Sequence, residues 1–312
     1  MSDLHVQRIT VRARVSDAEM AKRFGTGISE SDMVVGLHGD CDVYSPDGKV
    51  VCALRRNVLD EAVCEQAYPQ LYYLRKYTTD NRGGYTGFGR AGTSTEGGKG
   101  AKFLRADGRP SRQTRTVNEA GDIVKVASAV VGYYDRSGGR FPFCRQTAFT
   151  ANEVERWEQL VPLVKDADRV YREAFPKPYK VQSSFVAGLS KDFVIPGSVF
   201  TTLTVNNNVC GTVHCDKGDY KGGLGLISYH RRGSFTGGEL VFPRYKVFLD
   251  LHDRDVLFFD PHEWHGVNQM RHTDPKQDGQ RISVVYYVRQ RIDECGTAVE
   301  EAARAKAKYG AL

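Results

Sequence analysis

From Gly197 onward the chain is a succession of short runs rich in β-branched and aromatic residues. VFTTLTVN, GTVHCD, LGLISYH, GGELVF, KVFLDL, DVLFFD and RISVVYYVRQ follow one another, separated by Gly, Asp and Pro at intervals of about eight to fifteen residues. None is long enough for a helix, and each ends at a turn residue, so this half predicts a β-sandwich or jelly roll. The 312 residues hold 40% hydrophobic and 26% charged side chains, which suits a folded globular chain and excludes disordered, collagenous and coiled-coil classes. Apolar runs such as Asp122–Val131 and Asp255–Phe259 fall short of the roughly eighteen residues a spanning helix needs, so no membrane partner is expected.

The N-terminal half is mixed. Residues 5–14 alternate like a half-exposed strand, and Ser16 with Glu19 makes a capping box opening a helix at 17–24. Residues 42–45 and 49–54 predict a hairpin around Pro46-Asp47-Gly48. Residues 57–77 look helical but are interrupted at Pro69, which predicts two short helices. A second capping box at Thr150–Glu153 opens an amphipathic helix ending near Pro176, and residues 296–309 form an Ala-rich closing helix. The fold class is therefore α+β, a double-stranded β-helix (jelly roll) core with supporting helices. Three regions are expected: 1–120, containing a Gly-rich loop at 79–118; a core at 121–292, rolled mainly over 197–292; and a C-terminal helix at 293–312.

Charge is concentrated in one place. The chain's net charge is +6, and residues 82–115 alone hold eight Lys/Arg against two acids, also +6. Nine glycines between Gly83 and Gly108, interleaved with Tyr85, Phe88 and Phe103, make this a long loop suited to nucleic acid. Its cations, Arg82, Arg90, Lys99, Lys102, Arg105, Arg109, Arg112 and Arg115, can meet phosphates while the rings stack on bases. Gly87–Gly92 matches GxGxxG, but no strand precedes it and no helical pattern follows, so no nucleotide site is assigned. Seven cysteines without a CxxC pair predict reduced, mostly buried thiols. The N-terminus has no hydrophobic segment of the kind that directs secretion, so a cytoplasmic or nuclear location is expected.

The chemistry lies in three motifs. His214-Cys215-Asp216 closes one expected strand, where side chains two apart share a face. Pro261-His262-Glu263-Trp264-His265-Gly266 follows another, and Arg281-Ile282-Ser283 opens a third. Two histidines and a carboxylate on neighbouring strands form the facial triad that binds non-haem Fe(II). Either His262 or His265 can supply the second imidazole, with His265 preferred beside Gly266. An Arg-x-Ser on a nearby strand can hold the distal carboxylate of 2-oxoglutarate by a bidentate pair and one further hydrogen bond.

At these residues the chain resembles the J-binding-protein and TET family of DNA-base dioxygenases, particularly its J-base branch. Residues 200–208 running into His214–Gly223, then 237–243, His265-Gly266 and 281–287 carry the likeness, with Cys144-Arg145-Gln146-Thr147 upstream, so it spans roughly 124–292. The resemblance implies that His214, Asp216 and His265 bind iron and that Arg281 and Ser283 bind 2-oxoglutarate, with ascorbate as reductant. It also places Asp219, Tyr287 and Arg289 near the target base. The implied partner is DNA with one pyrimidine flipped from the stack, met by a monomer. The implied reaction is hydroxylation of the C5-methyl group, 5-methylcytosine slightly favoured over thymine. The alternatives are a 2-oxoglutarate hydroxylase of a protein or small molecule, or a vitamin-C-using modifier of 5-methylcytosine.

Overall fold

The computed structural model describes residues 6–79, 85, 89–91, 115–117, 124–136, 141–272 and 279–310. Two sheets form the core. Their strands, in chain order, are β1 (Gln7–Thr10), β2 (Val35–Leu37), β3 (Cys41–Tyr44), β4 (Val50–Arg55), β5 (Ser128–Tyr134), β6 (Arg145–Gln146), β7 (Thr202–Asn207), β8 (Gly225–Arg232), β9 (Leu240–Phe242), β10 (Val247–Leu249), β11 (Val256–Phe259), β12 (Gly266–Val267) and β13 (Gln280–Tyr287). The larger sheet has nine strands in the order β1-β3-β4-β11-β8-β13-β7-β5-β6, and the smaller has four, β12-β9-β10-β2. Pairing is antiparallel except where β1 joins β3 and β2 joins β10. The two sheets face each other as the expected roll, with Leu240, Phe242, Val247 and Leu249 packed against Ile227, Tyr229, Leu257 and Phe259.

The N-terminal hairpin forms as the Pro46-Asp47-Gly48 turn predicts, and Gly48 takes φ +81° there. It extends the large sheet by pairing β4 with β11. The strand β5 was not expected, although its SAVVGYY run has the same β-branched and aromatic character as the later strands. The GTVHCD run, by contrast, is not a strand. His214 and His265 exchange both main-chain hydrogen bonds (2.9 and 3.0 Å) in an isolated bridge, and the segment is otherwise irregular.

The helices are α1 (Asp17–Lys22), α2 (Glu61–Tyr73), α3 (Ala148–Asn152), α4 (Val154–Ala174), α5 (Pro176–Ala187) and α6 (Ala298–Tyr309). The capping boxes of α1 and α6 form, Ser16 with Glu19 and Thr297 with Glu300. Two expectations are corrected. Pro69 does not divide residues 57–77, because α2 runs through it while burying Cys64, Ala67, Gln70 and Leu71 beside α4. That packing offsets a break costing about 3 kcal/mol. The long helix is not capped by Thr150, whose hydroxyl accepts from the Gly132 N–H at 2.8 Å. Thr147 caps α3 instead, and Glu153 accepts hydrogen bonds from Tyr73 and Tyr77. Pro176 ends α4 but also opens α5, as a proline in a first helical turn can.

The thiols are also corrected. Cys144 and Cys295 form a disulfide across 151 residues, and the other five cysteines are free. Glu301 of α6 braces the same place, accepting from the main-chain N–H of Cys144 and of Gly296, each at 2.8 Å, and pairing with Arg136 at 2.9 Å.

Candidate metal and co-substrate site

His214, Asp216 and His265 meet at the mouth of the roll, one donor atom from each lying within 4.8 Å of the others. The two imidazoles are buried and face the carboxylate: Asp216 lies 3.7 Å from His214 Nε2 and 3.5 Å from His265 Nε2. Each ring is oriented from behind. His214 Nδ1 is 2.6 Å from the carbonyl of Thr212 and His265 Nδ1 is 2.8 Å from that of Glu263. A carbonyl can only accept, so each Nδ1 carries a proton and each Nε2 is the atom that faces Asp216 and could ligate a metal. Two imidazoles and one carboxylate, with cavity space on their open side, fit a non-haem Fe(II) centre. Burial disfavours an imidazolium at His265, but Asp216 and Glu263 outweigh it and raise the pKa, so protons compete with a metal there.

His262 does not join this group. Its Nδ1 is 3.3 Å from Asp260, and it lines a separate cleft with Arg244, Tyr245 and Glu263. The turn carrying both histidines is pinned from the N-terminal half, where Trp264 donates to Asp17 of α1 at 2.7 Å. No motif in the sequence pointed to that tie.

Below the triad a cavity of about 650 Å³ runs into the roll. Arg281 lines it and is almost fully buried. It donates from Nε to the carbonyl of Gly238 (3.0 Å), from Nη1 to that of Val209 (3.3 Å) and from Nη2 to the Tyr229 hydroxyl (2.9 Å). Gly238 has φ +80°, and a Cβ there would stand 2.8 Å from Arg281 Cδ, so glycine makes room for the guanidinium. Burial raises the Tyr229 pKa against the pull of Arg281, keeping the phenol protonated. Ser283 sits two residues on, in register with Tyr229 on one side and Asn206 on the other, while Asn206 pairs in turn with Ser128. These four side chains form one polar row on the cavity floor. Ser128 Oγ donates to Asn206 Oδ1 at 2.7 Å, which turns the carboxamide nitrogen of Asn206 away from Ser128. Tyr229 and Asn206 were not singled out from sequence, because the cross-strand register that aligns them is invisible until the strands are paired.

Asp219, Tyr287 and Arg289 line the same cavity. Asp219 and Arg289 face each other in an isolated bridge, Arg289 Nε donates to Asp135 at 2.7 Å, and the Tyr287 hydroxyl is 3.2 Å from Thr204 Oγ1. Of the basic loop, Arg82, Lys99, Lys102, Arg105, Arg109 and Arg112 lie outside the described residues. Arg90 and Arg115 are described only through their backbones, which pair antiparallel with Thr116 and Ala91. Among the described residues, no helix is long and apolar enough to cross a membrane.

A rolled sheet with two imidazoles and a carboxylate lining one cavity together with a buried Arg-x-Ser is the build of a non-haem oxygenase domain. Residues 129–290 match the Tet_JBP family model, the oxygenase domain of the 2OGFeDO superfamily, and the chain belongs to that family. Thymine dioxygenase JBP1-B of Trypanosoma cruzi is 32% identical over 174 residues, 55% of this chain and 20% of that protein. The bifunctional helicase and thymine dioxygenase JBP2 of Leishmania infantum is 34% identical over 163 residues, 52% of this chain and 14% of that protein. The match therefore spans a fifth or less of these curated relatives. The structure of NgTET1 in complex with 5mC DNA has the same fold, with a TM-score of 0.58 at 12% identity, over 94% of this chain and 100% of that one.

Proposed function

We propose that the chain is an Fe(II)- and 2-oxoglutarate-dependent dioxygenase that hydroxylates the C5-methyl group of a pyrimidine in DNA, 5-methylcytosine slightly ahead of thymine. One observation carries the reading: the triad, the Arg281 side chain, Ser283, Asp219 and Arg289 all line a single cavity. His214, Asp216 and His265 would hold the metal and leave positions open on the cavity side. Arg281 and Ser283 would take the distal carboxylate of 2-oxoglutarate. Together these groups would supply an oxidant able to attack an unactivated C–H bond.

The protein's own part is placement. Arg281, fixed by three hydrogen bonds, needs no reorganisation to receive a carboxylate. The apolar wall of Ile227, Leu240, Phe259 and Val285 keeps water from the reacting group. Asp219 can only accept and Arg289 can only donate. Cytosine presents the N4 amino donor followed by two acceptors, N3 and O2, the complement of a carboxylate followed by a guanidinium. Thymine sets its N3–H between two acceptors, which asks for donors on both sides of the carboxylate. The relatives named as thymine dioxygenases nevertheless support thymine as a second reading. A flipped base costs a few kcal/mol of unstacking, which the basic 82–115 segment would offset by holding phosphates. The protein would act as a monomer wherever DNA is held, in nucleus or cytoplasm, with ascorbate keeping the iron reduced.

The test is aerobic incubation with Fe(II), 2-oxoglutarate and ascorbate, using duplexes carrying either 5-methylcytosine or thymine alone. Digested nucleosides are then measured by mass spectrometry. Hydroxymethylcytosine is expected in excess; hydroxymethyluracil in excess would reverse the base preference, and reaction only with a protein or free small molecule would end the DNA assignment.

A further inference from the structure

Tyr85 is the described residue of the Gly-rich segment that reaches the triad. Its ring stands edge-on to His214, with centroids 4.7 Å apart and planes at 81°. Its carbonyl accepts from the Thr212 N–H at 2.6 Å and from the Thr212 hydroxyl at 3.0 Å. Thr212 then turns its own carbonyl to His214 Nδ1 at 2.6 Å. Two contacts from one residue thus converge on one imidazole, the ring directly and the main chain through Thr212.

The neighbouring backbone is shaped around this ring. A Cβ added at Gly211 would lie 2.9 Å from two carbons of the Tyr85 ring and 3.0 Å from its hydroxyl oxygen. Gly211 also accepts from the N–H of Val267 at 2.7 Å, next to the turn bearing His265. Glycine at 211 therefore lets the ring seat where a side chain would push it off.

We infer that Tyr85 is a positioning residue for the metal centre, holding the His214 imidazole in its ligating orientation and shielding one side of it from water. This rests on the proposed reading of His214, Asp216 and His265 as metal ligands. The main chain at His214 is tied to His265 by two hydrogen bonds, which hold the backbone but do not fix the ring's rotation, so a rigid aromatic packed on the imidazole adds what main-chain pairing does not supply.

The test uses the full chain freed of metal and titrated anaerobically with Co(II), whose visible absorption reports both occupancy and ligand geometry, with thermal unfolding of the metal-free protein in parallel. Tyr85→Leu should weaken Co(II) binding about tenfold and alter the absorption band, Tyr85→Phe should restore affinity to within about twofold of the original, and Gly211→Ala should reproduce the Tyr85→Leu result. Melting temperature of the metal-free variants should change little, since a ring that serves only local packing would lower it without moving the Co(II) band. If the original chain binds Co(II) and both Tyr85→Leu and Gly211→Ala bind it equally well with the same spectrum, the inference is overturned while the triad stands. If the original chain takes up no Co(II), the triad assignment and the inference fall together.

Discussion

The Tyr229 hydroxyl lies 2.9 Å from Arg281 Nη2, with both side chains almost fully buried. A guanidinium has five N–H donors; Tyr229, Gly238 and Val209 take three, which leaves two, the number a bidentate carboxylate needs. Tyr229→Phe should therefore loosen the guanidinium without removing it, raising the half-saturating 2-oxoglutarate concentration about fivefold, in keeping with a buried hydrogen bond worth about 1 kcal/mol. Arg281→Ala should raise it far more steeply. Succinate formation against 2-oxoglutarate concentration reads both, and unchanged half-saturation in Arg281→Ala would remove its assigned role.

His214→Ala and Asp216→Ala should abolish turnover and iron retention while leaving duplex affinity close to the original, because only the metal is lost. His262→Ala should keep its iron, since that ring faces Asp260 in another cleft. Metal content by plasma emission and duplex binding by anisotropy separate these outcomes. Chelation should silence the unaltered protein, and added Fe(II) should restore it.

Reversing the charge of Arg105, Arg109 and Arg112 should weaken duplex binding and flatten its salt dependence, by about 0.9 in the logarithmic slope for each phosphate no longer neutralised. Binding measured across a salt series gives the slope directly. An unchanged slope would mean that the segment's charge is merely solvated.

Acid should loosen the C-terminal helix through Glu301. Burial alone would raise its pKa, but Arg136 and the N–H groups of Gly296 and Cys144 outweigh it and lower the value from 4.5 to about 2. A carboxyl depressed in the folded state favours folding whenever it is ionised in both states. Its contribution is thus complete above about pH 4.5 and lost as pH falls toward 2, a span worth on the order of 3 kcal/mol. Denaturant unfolding at a series of acid pH values should show this slope, and Glu301→Gln should flatten it.

Thiol titration of the denatured, unreduced protein should find five groups, rising to seven after reduction. Because the bridge closes a loop of 151 residues, Cys295→Ser should cost about 2–5 kcal/mol of stability. Seven thiols without reductant would show that the bridge does not form.

What could be read from sequence depended on the range over which each feature acts. The strands after Gly197 carry their own propensity and turn punctuation, so β8, β11 and β13 stand where the runs predicted them. His214, Asp216 and His265 were found from chemistry and spacing, even though the segment carrying the first two is not the strand it resembled. The continuity of α2 across Pro69 was hidden because packing against a helix some ninety residues away, visible where Gln70 meets Gln159, outweighs a local rule. Cys144 and Cys295 are far apart in the chain, and an odd cysteine count says nothing about which two meet. Tyr229 and Asn206 became visible only once the register was known.

The hairpin of β3 and β4 has a consequence for how this protein can be cut. It covers the flank of β11, and β2 covers that of β10, so strands contributed before residue 60 shield edges formed some two hundred residues later. A fragment trimmed to the family match at 129–290 would leave both flanks bare, two templates for another chain to pair with. Such a fragment should aggregate rather than persist as a small oxygenase, and the roll can close only once synthesis has passed the last core strand at Tyr287.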